Sequence, residues 1–125
     1  MTDRRRILVT SALPYANGAI HLGHMLEHVQ TDIFVRFQRL QGHECIYVCA
    51  DDVHGTAVML NAEAAGLTPL AYAASITEEH IQDFKRFQIS HDCYDTTHSE
   101  DNEQLSGEIY SRLLASGNIE KANVE

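Results

Sequence analysis

Between Ile7 and Ala50 two short apolar runs flank one long amphipathic stretch, and this alternation restricts the fold more than any other feature of the chain. Residues 7–12 are β-branched and apolar, preceded by an arginine cluster and followed by Pro14, Asn17 and Gly18, which reads as a buried strand running into a loop. From Leu22 the apolar residues fall at Leu22, Met25, Leu26, Val29, Ile33, Phe37 and Leu40, spacings that predict a helix over 21–41 stopped by Gly42. Residues 45–50 form a second unbroken apolar run, expected to be a strand covered on both faces, and Asp51 and Asp52 end it. Strand, helix, strand is a βαβ unit, so the fold class is α/β, and the two parallel strands finish at the same edge of the sheet.

Further along, residues 55–65 read as a short helix closed by Gly66, and Thr68 with Pro69 opens another that reaches Phe87. Ser75 and Glu78 also fit a capping box, which would split that helix; one continuous helix is the expectation. Residues 89–97 suit a third strand or a structured loop. Ser99, followed by Glu100, Asp101 and Glu103, starts a last helix that stops at Gly117. Met25, Phe37, Phe84 and Phe87 are expected in the core.

The charge balance sharpens the functional classes. Nine Lys and Arg against eighteen Asp and Glu leave the 125 residues at −9, which argues against a chain that grips phosphate backbones through a basic patch of its own. Three cysteines with no C-x-x-C pair suit neither a disulfide framework nor a thiolate zinc site. No stretch approaches the roughly 20 apolar residues of a membrane span, and a soluble, cytoplasmic protein is expected. Neither a G-x-G-x-x-G fingerprint nor a Walker loop is present, and no G-x-S-x-G frames a serine nucleophile.

His21, His24 and His28 recur at intervals of three and four, which places them on one stripe turned away from the apolar one, with Leu26 and Ile33 toward the core. His21 and His24 fall in the first turn, where free N–H groups and the helix dipole favour an anion such as phosphate. Gly23 between them leaves a bare backbone patch for a flat group. A solvated histidine face is one alternative; a metal held by His21 and His24 with Asp52 or His54 is another, although no H-E-x-x-H pattern supports it. Ligands of open α/β sheets bind beyond the carboxyl ends of the strands, so the 12–17 loop and Asp51–Asp52 should wall one site, with a carboxylate for an ammonium group and Tyr15 as an aromatic wall. One of the two aspartates is expected simply to cap the next helix.

The segment PYANGAIHLGH resembles the HIGH signature of class I aminoacyl-tRNA synthetases. Its flanks ILVTSALPYANG and HMLEHVQTDIFVRFQRLQGHE, the strand end CADDVHGT and the later THSEDN together resemble the methionyl branch, over nearly the whole chain. The resemblance implies a Rossmann-type catalytic domain that activates methionine with ATP and Mg2+ to methionyl-adenylate, then transfers the methionyl group to tRNA(Met). It implies that His21 and His24 stabilise the transition state at the α-phosphate and that Gly23 packs against adenine. Thr10 and Asn17 match positions near the nucleotide, Asp52 the aspartate that binds the α-ammonium of methionine, and Ala12, Leu13 and Tyr15 the methionine-site loop.

Other family parts are not found in this sequence: the KMSKS loop, the cysteines that bind a structural zinc, the second half of the nucleotide fold and the anticodon-binding domain. Residues 1–117 are therefore expected to be the first half of the catalytic domain, and 118–125 the start of a truncated connective insertion. The fragment alone is expected to be inactive, to expose apolar surface where the rest of the synthetase docks, and to leave most tRNA contacts to other parts. A smaller nucleotidyltransferase of the HxGH superfamily and a non-catalytic nucleotide-binding or interaction module are the alternatives.

Overall fold

The computed structural model describes residues 4–122. Seven elements follow one another: β1 (Arg6–Thr10), α1 (Leu22–Leu40), β2 (Glu44–Asp51), α2 (Thr56–Ala65), α3 (Pro69–Arg86), β3 (Cys93–Thr96) and α4 (Glu100–Ala115). The strands form one parallel sheet in the order β1-β2-β3, with Leu8 opposite Ile46 and Val48 opposite Cys93. The expected βαβ unit is present, and 89–97 resolves to a strand with a short lead-in. β1 stops at Thr10 rather than Ala12, because the chain leaves the ladder at Ser11 to begin the loop; β2 is one residue longer at each end than the apolar run.

Helix ends follow the local chemistry. The Thr68 hydroxyl accepts from the Ala71 N–H at 3.2 Å, Pro69 occupies the first turn, and α3 continues unbroken through Ser75, whose hydroxyl donates to the Tyr72 carbonyl instead of capping. Gly66 and Gly117 terminate α2 and α4 in the left-handed conformation. Ser99 caps α4 through Asn102, above an acidic first turn.

Burial departs from the periodicity in one important respect. The face of α1 against the sheet carries Met25, His28, Asp32, Val35 and Gln38, whereas Leu22, Leu26, Ile33, Phe37 and Leu40 are exposed, Leu22 by 86% and Leu40 by 84%. Asp32 explains how so polar a face stays down: its carboxylate accepts from the Ser90 N–H at 2.7 Å and from Arg36 Nε at 2.5 Å, joining α1 to the segment after α3. β2 is likewise covered on one face only. Cys45, Tyr47, Cys49 and Asp51 point toward α1 and α3, while Ile46 and its neighbour Leu8 lie on an open face, Leu8 exposed by 69%. Of the four residues expected in the core, Met25 and Phe84 are buried and Phe37 and Phe87 are more than half exposed.

Two small cores result. Val35, Cys45 and Tyr47 pack under Ile7, Val9 and Ile89; Ala16, Val53, Val58 and Ala73 pack with Tyr15, Tyr72 and Ile76 beneath the loop edge. The second core fixes the loop after β1 against α2 and α3.

Candidate active site

Parallel pairing brings the ends of β1 and β2 to one edge, and the loop that leaves β1 stays attached to it. Tyr15 and Asp52 form an isolated parallel bridge, in which the Asp52 N–H donates to the Pro14 carbonyl and the Ala16 N–H donates to the Asp52 carbonyl, both at 2.8 Å. The Asn17 carbonyl accepts from the Asn61 amide at 2.7 Å and the Tyr72 hydroxyl at 3.1 Å, so α2 and α3 hold the next step of the loop. The Ala12 N–H donates to the Glu27 carboxylate of α1 at 2.6 Å, which steadies the first step. Thr10 ends β1 exposed; Ala12 and Leu13 are exposed at the mouth and Tyr15 is half-buried.

His21 is the N-cap of α1. Its Nδ1 accepts from the N–H groups of Gly23 at 3.1 Å and His24 at 3.3 Å, and His24 Nδ1 returns the favour toward the His21 N–H at 3.5 Å. With Nδ1 accepting, the ring proton sits on Nε2 in each residue, leaving an N–H donor on each free of the helix. The two rings stack with centroids 3.6 Å apart and planes inclined by 16°. Burial first, then the neighbouring His21 and His80 rings, push the His24 pKa below its ordinary value, with Glu27 pulling the other way. Stacked neutral imidazoles above a helix N-terminus are hydrogen-bond donors suited to a phosphate oxygen.

Two glycines are required by these side chains. A Cβ on Gly23 would lie 2.9 Å from His21 Cε1, so only glycine leaves room for the capping ring. Gly55 has φ +133°, a region L-residues rarely adopt, and a Cβ there would collide with the Tyr15 hydroxyl.

The structure separates residues that the spacing had grouped. His28 is buried, not on a ligand face with His21 and His24: its Nδ1 lies 3.3 Å from each of the Ser11 hydroxyl, the Tyr47 hydroxyl and His91 Nε2. Burial, reinforced by His91, lowers its pKa to about 4. Asp52 does not cap α2, whose N-cap Gly55 offers no side chain; Asp52 Oδ1 accepts from the His54 N–H at 3.5 Å in a turn. His54 is exposed beside His98 and borders a cleft of about 490 Å³ with the first turns of α4. Among the described residues the donor atoms with metal-like spacing are those of His28, Cys49 and His91, not His21, His24, Asp52 and His54; Ser11 already engages His28 and Cys49, and Tyr47 and His91 engage His28.

Spacing set Asp51 at this edge without giving it a role, and it missed His80. Asp51 is fully buried, its Oδ1 accepting from His80 Nδ1 at 2.8 Å and from the Tyr94 hydroxyl at 2.6 Å. His80 Nε2 lies 2.8 Å from the Gly18 carbonyl. Burial works against charge on His80, but the bonds to Asp51 and Gly18 outweigh it and hold the pKa above the ordinary histidine value.

The family model for class I tRNA synthetases (M) matches residues 7–125. Over 120 residues, 96% of the chain, the sequence is 61% identical to the methionine–tRNA ligase of Dichelobacter nodosus, and the chain spans 18% of that relative's length. Two solved structures of Mycobacterium tuberculosis methionyl-tRNA synthetase bound to methionyl-adenylate share the fold. Both give a TM-score of 0.86, at 30% and 31% identity, over 92% and 91% of this chain and 22% of theirs. The expected Rossmann-type architecture, a parallel sheet with helical crossovers, is the one these relatives have.

Proposed function

The chain belongs to the class I (M) tRNA synthetases, and from that premise we propose that the full-length polypeptide carrying it is a methionine–tRNA ligase. Methionine and MgATP are its first substrates: a carboxylate oxygen of methionine attacks the α-phosphorus, pyrophosphate leaves, and methionyl-adenylate remains. The methionyl group then passes to the terminal adenosine of tRNA(Met), with pyrophosphate and AMP the two leaving products.

The observation that carries this reading is the Tyr15–Asp52 bridge, which ties an aromatic and a carboxylate to the same loop that enters α1 at His21. Asp52 suits the α-ammonium of methionine, with Ala12, Leu13 and Tyr15 along its side chain. Thr10 and Asn17 suit the nucleotide, and Gly23 offers adenine a flat backbone. The Nε2–H groups of His21 and His24 suit the oxygens of the α-phosphate, where charge grows as the fifth bond forms.

Residues 1–117 act as the first half of the catalytic domain and 118–125 as the start of the connective insertion; 123–125 lie outside the described residues. Alone, the 125 residues lack the groups that would neutralise the departing pyrophosphate and are expected to show little activity. The rest of the synthetase is the partner for the open faces of α1 and the sheet, and it also takes most of the tRNA, in keeping with the charge of −9. A cytoplasmic location goes with the synthetase reading; no described helix is long and apolar enough to cross a membrane. The zinc of the family does not fit here: Cys45 and Cys49 sit on β2, Cys93 opens β3 beside Val48, and no thiolate set forms.

Labelled pyrophosphate should exchange into ATP when the full-length polypeptide is given methionine. Absence of exchange, or exchange indifferent to methionine, would reject the assignment.

A further inference from the structure

His80 takes no part in the chemistry above, yet it joins the two halves of the site. Its side chain is buried on α3, and both ring nitrogens face acceptors: Nδ1 the Asp51 carboxylate and Nε2 the Gly18 carbonyl, each at 2.8 Å. A neutral imidazole has one N–H, and neither acceptor has a proton to offer, so both bonds are made only by the imidazolium. Asp51 Oδ2 has no hydrogen-bond partner among the described residues, so the His80 ring supplies the countercharge to that carboxylate and the Tyr94 hydroxyl a second, neutral donor, both at Oδ1.

What makes the pair more than a buried ion pair is where its ends lie. Gly18 stands three residues before His21, in the loop whose peptide plane sets how the chain enters α1. Asp51 is the last residue of β2 and immediately precedes Asp52. The Tyr15–Asp52 bridge holds the middle of the loop to the strand end, but between Gly18 and His21 the chain has no other bond to the sheet among those formed by the described residues.

We propose that His80 is a positioning residue for adenylate formation, its doubly donating ring holding the Gly18 peptide, and with it the His21 entry, at a fixed separation from the Asp51–Asp52 strand end. This rests on the methionine activation proposed above. The Nε2 bond serves the phosphate side and the Nδ1 bond serves the ammonium side, so the two functions of one ring are separable by substitution.

His80→Asn puts an amide N–H near the place of Nδ1 and keeps the Asp51 bond without the reach to Gly18; His80→Gln reaches the place of Nε2 and keeps the Gly18 bond instead. Methionine-dependent pyrophosphate exchange by the full-length polypeptide reads the difference. The unsubstituted enzyme comes first: if it shows no methionine-dependent exchange, the activity itself is wrong, whatever His80 does. Given exchange, His80→Asn should lose about tenfold or more in kcat with methionine KM little changed, and His80→Gln should raise methionine KM by a similar factor with kcat better preserved. Tyr94→Phe, which removes only the second donor to Asp51 and keeps the His80 ring, supplies the ammonium-side reading if His80→Gln fails to fold: methionine KM should rise several-fold with kcat retained. Variants whose kcat and KM losses move together in proportion to their melting temperatures would show a purely structural role and overturn the proposal, as would variants indistinguishable from the unsubstituted enzyme.

Discussion

The hydroxyl of Tyr15 occupies the place where a Cβ on Gly55 would have to go. Gly55→Ala should therefore displace the phenol from the site mouth as well as strain the backbone at φ +133°. Methionine KM should rise about tenfold, since a misplacement near 1 Å costs that much or more. Repeating the change in a Tyr15→Ala background removes the collision, and the Gly55→Ala effect on KM should largely vanish there. Steady-state exchange kinetics of the four proteins decide it, and an unchanged methionine KM in the single variant would contradict the steric account.

His21 has two duties, and one substitution can part them. His21→Ala loses the cap on the Gly23 and His24 N–H groups and should cost about 1 kcal/mol in stability. His21→Asn restores a capping oxygen, so its melting temperature should return toward the original while exchange stays depressed, by about 10²–10³-fold. Recovery of exchange along with the melting temperature would mean that His21 acts only as a cap.

Asp52→Ala leaves the backbone bridge to Tyr15 intact, because both of its hydrogen bonds use main-chain atoms. The fold should survive while use of methionine is crippled, and ATP binding measured without methionine should be nearly unaffected. An unchanged methionine dependence would remove Asp52 from the ammonium site.

Little of this depends on elements that were hard to foresee. The parallel strands, α1 between Leu22 and Leu40, the Thr68 and Ser99 caps and the unbroken α3 all follow from local chemistry written in consecutive residues. The orientation of α1 does not. Leu22, Leu26, Ile33, Phe37 and Leu40 mark a stripe that needs cover, but periodicity does not say which neighbour supplies it, and in this chain the sheet is met by Met25, His28, Asp32 and Val35. The misplacement of His28 follows from the same ambiguity. His80 had a faint signal: it falls in step with Ala73, Ile76 and Phe84 on the apolar side of α3, where a histidine requires a partner, but that partner is 29 residues away at Asp51.

Two buried histidines should bend the stability of the protein in opposite senses with pH. His28, depressed to about 4, contributes stability that is complete above pH 6.5 and lost as pH falls toward 4, about 2–3 kcal/mol at full extent. His80 is raised, so its contribution is complete below pH 6.5 and is lost as pH climbs through its folded pKa. Thermal melts from pH 4 to 9 test both: His28→Asn should flatten the acid limb alone and His80→Asn the alkaline limb alone. A limb that persists unchanged in its variant would assign the slope to other groups.

The 125 residues studied by themselves should bind a hydrophobic dye and associate with one another, through Leu22, Leu26, Ile33 and Leu40 on α1 and through Leu8 and Ile46 on the sheet. Leu22→Glu with Leu40→Glu, both at sites more than four-fifths exposed, should weaken association with little change in melting temperature. A chain that sediments as a monomer and leaves the dye dark would argue against an unfilled interface.

The cap on α1 gives two rings a double allegiance. The first turn of the helix is closed by His21 and His24 themselves, so the groups offered to the phosphate are also the groups that hold that turn together. Fraying of the turn, where helix ends open most readily, displaces both imidazoles at once. The phosphate-side donors are therefore kept or lost as a pair.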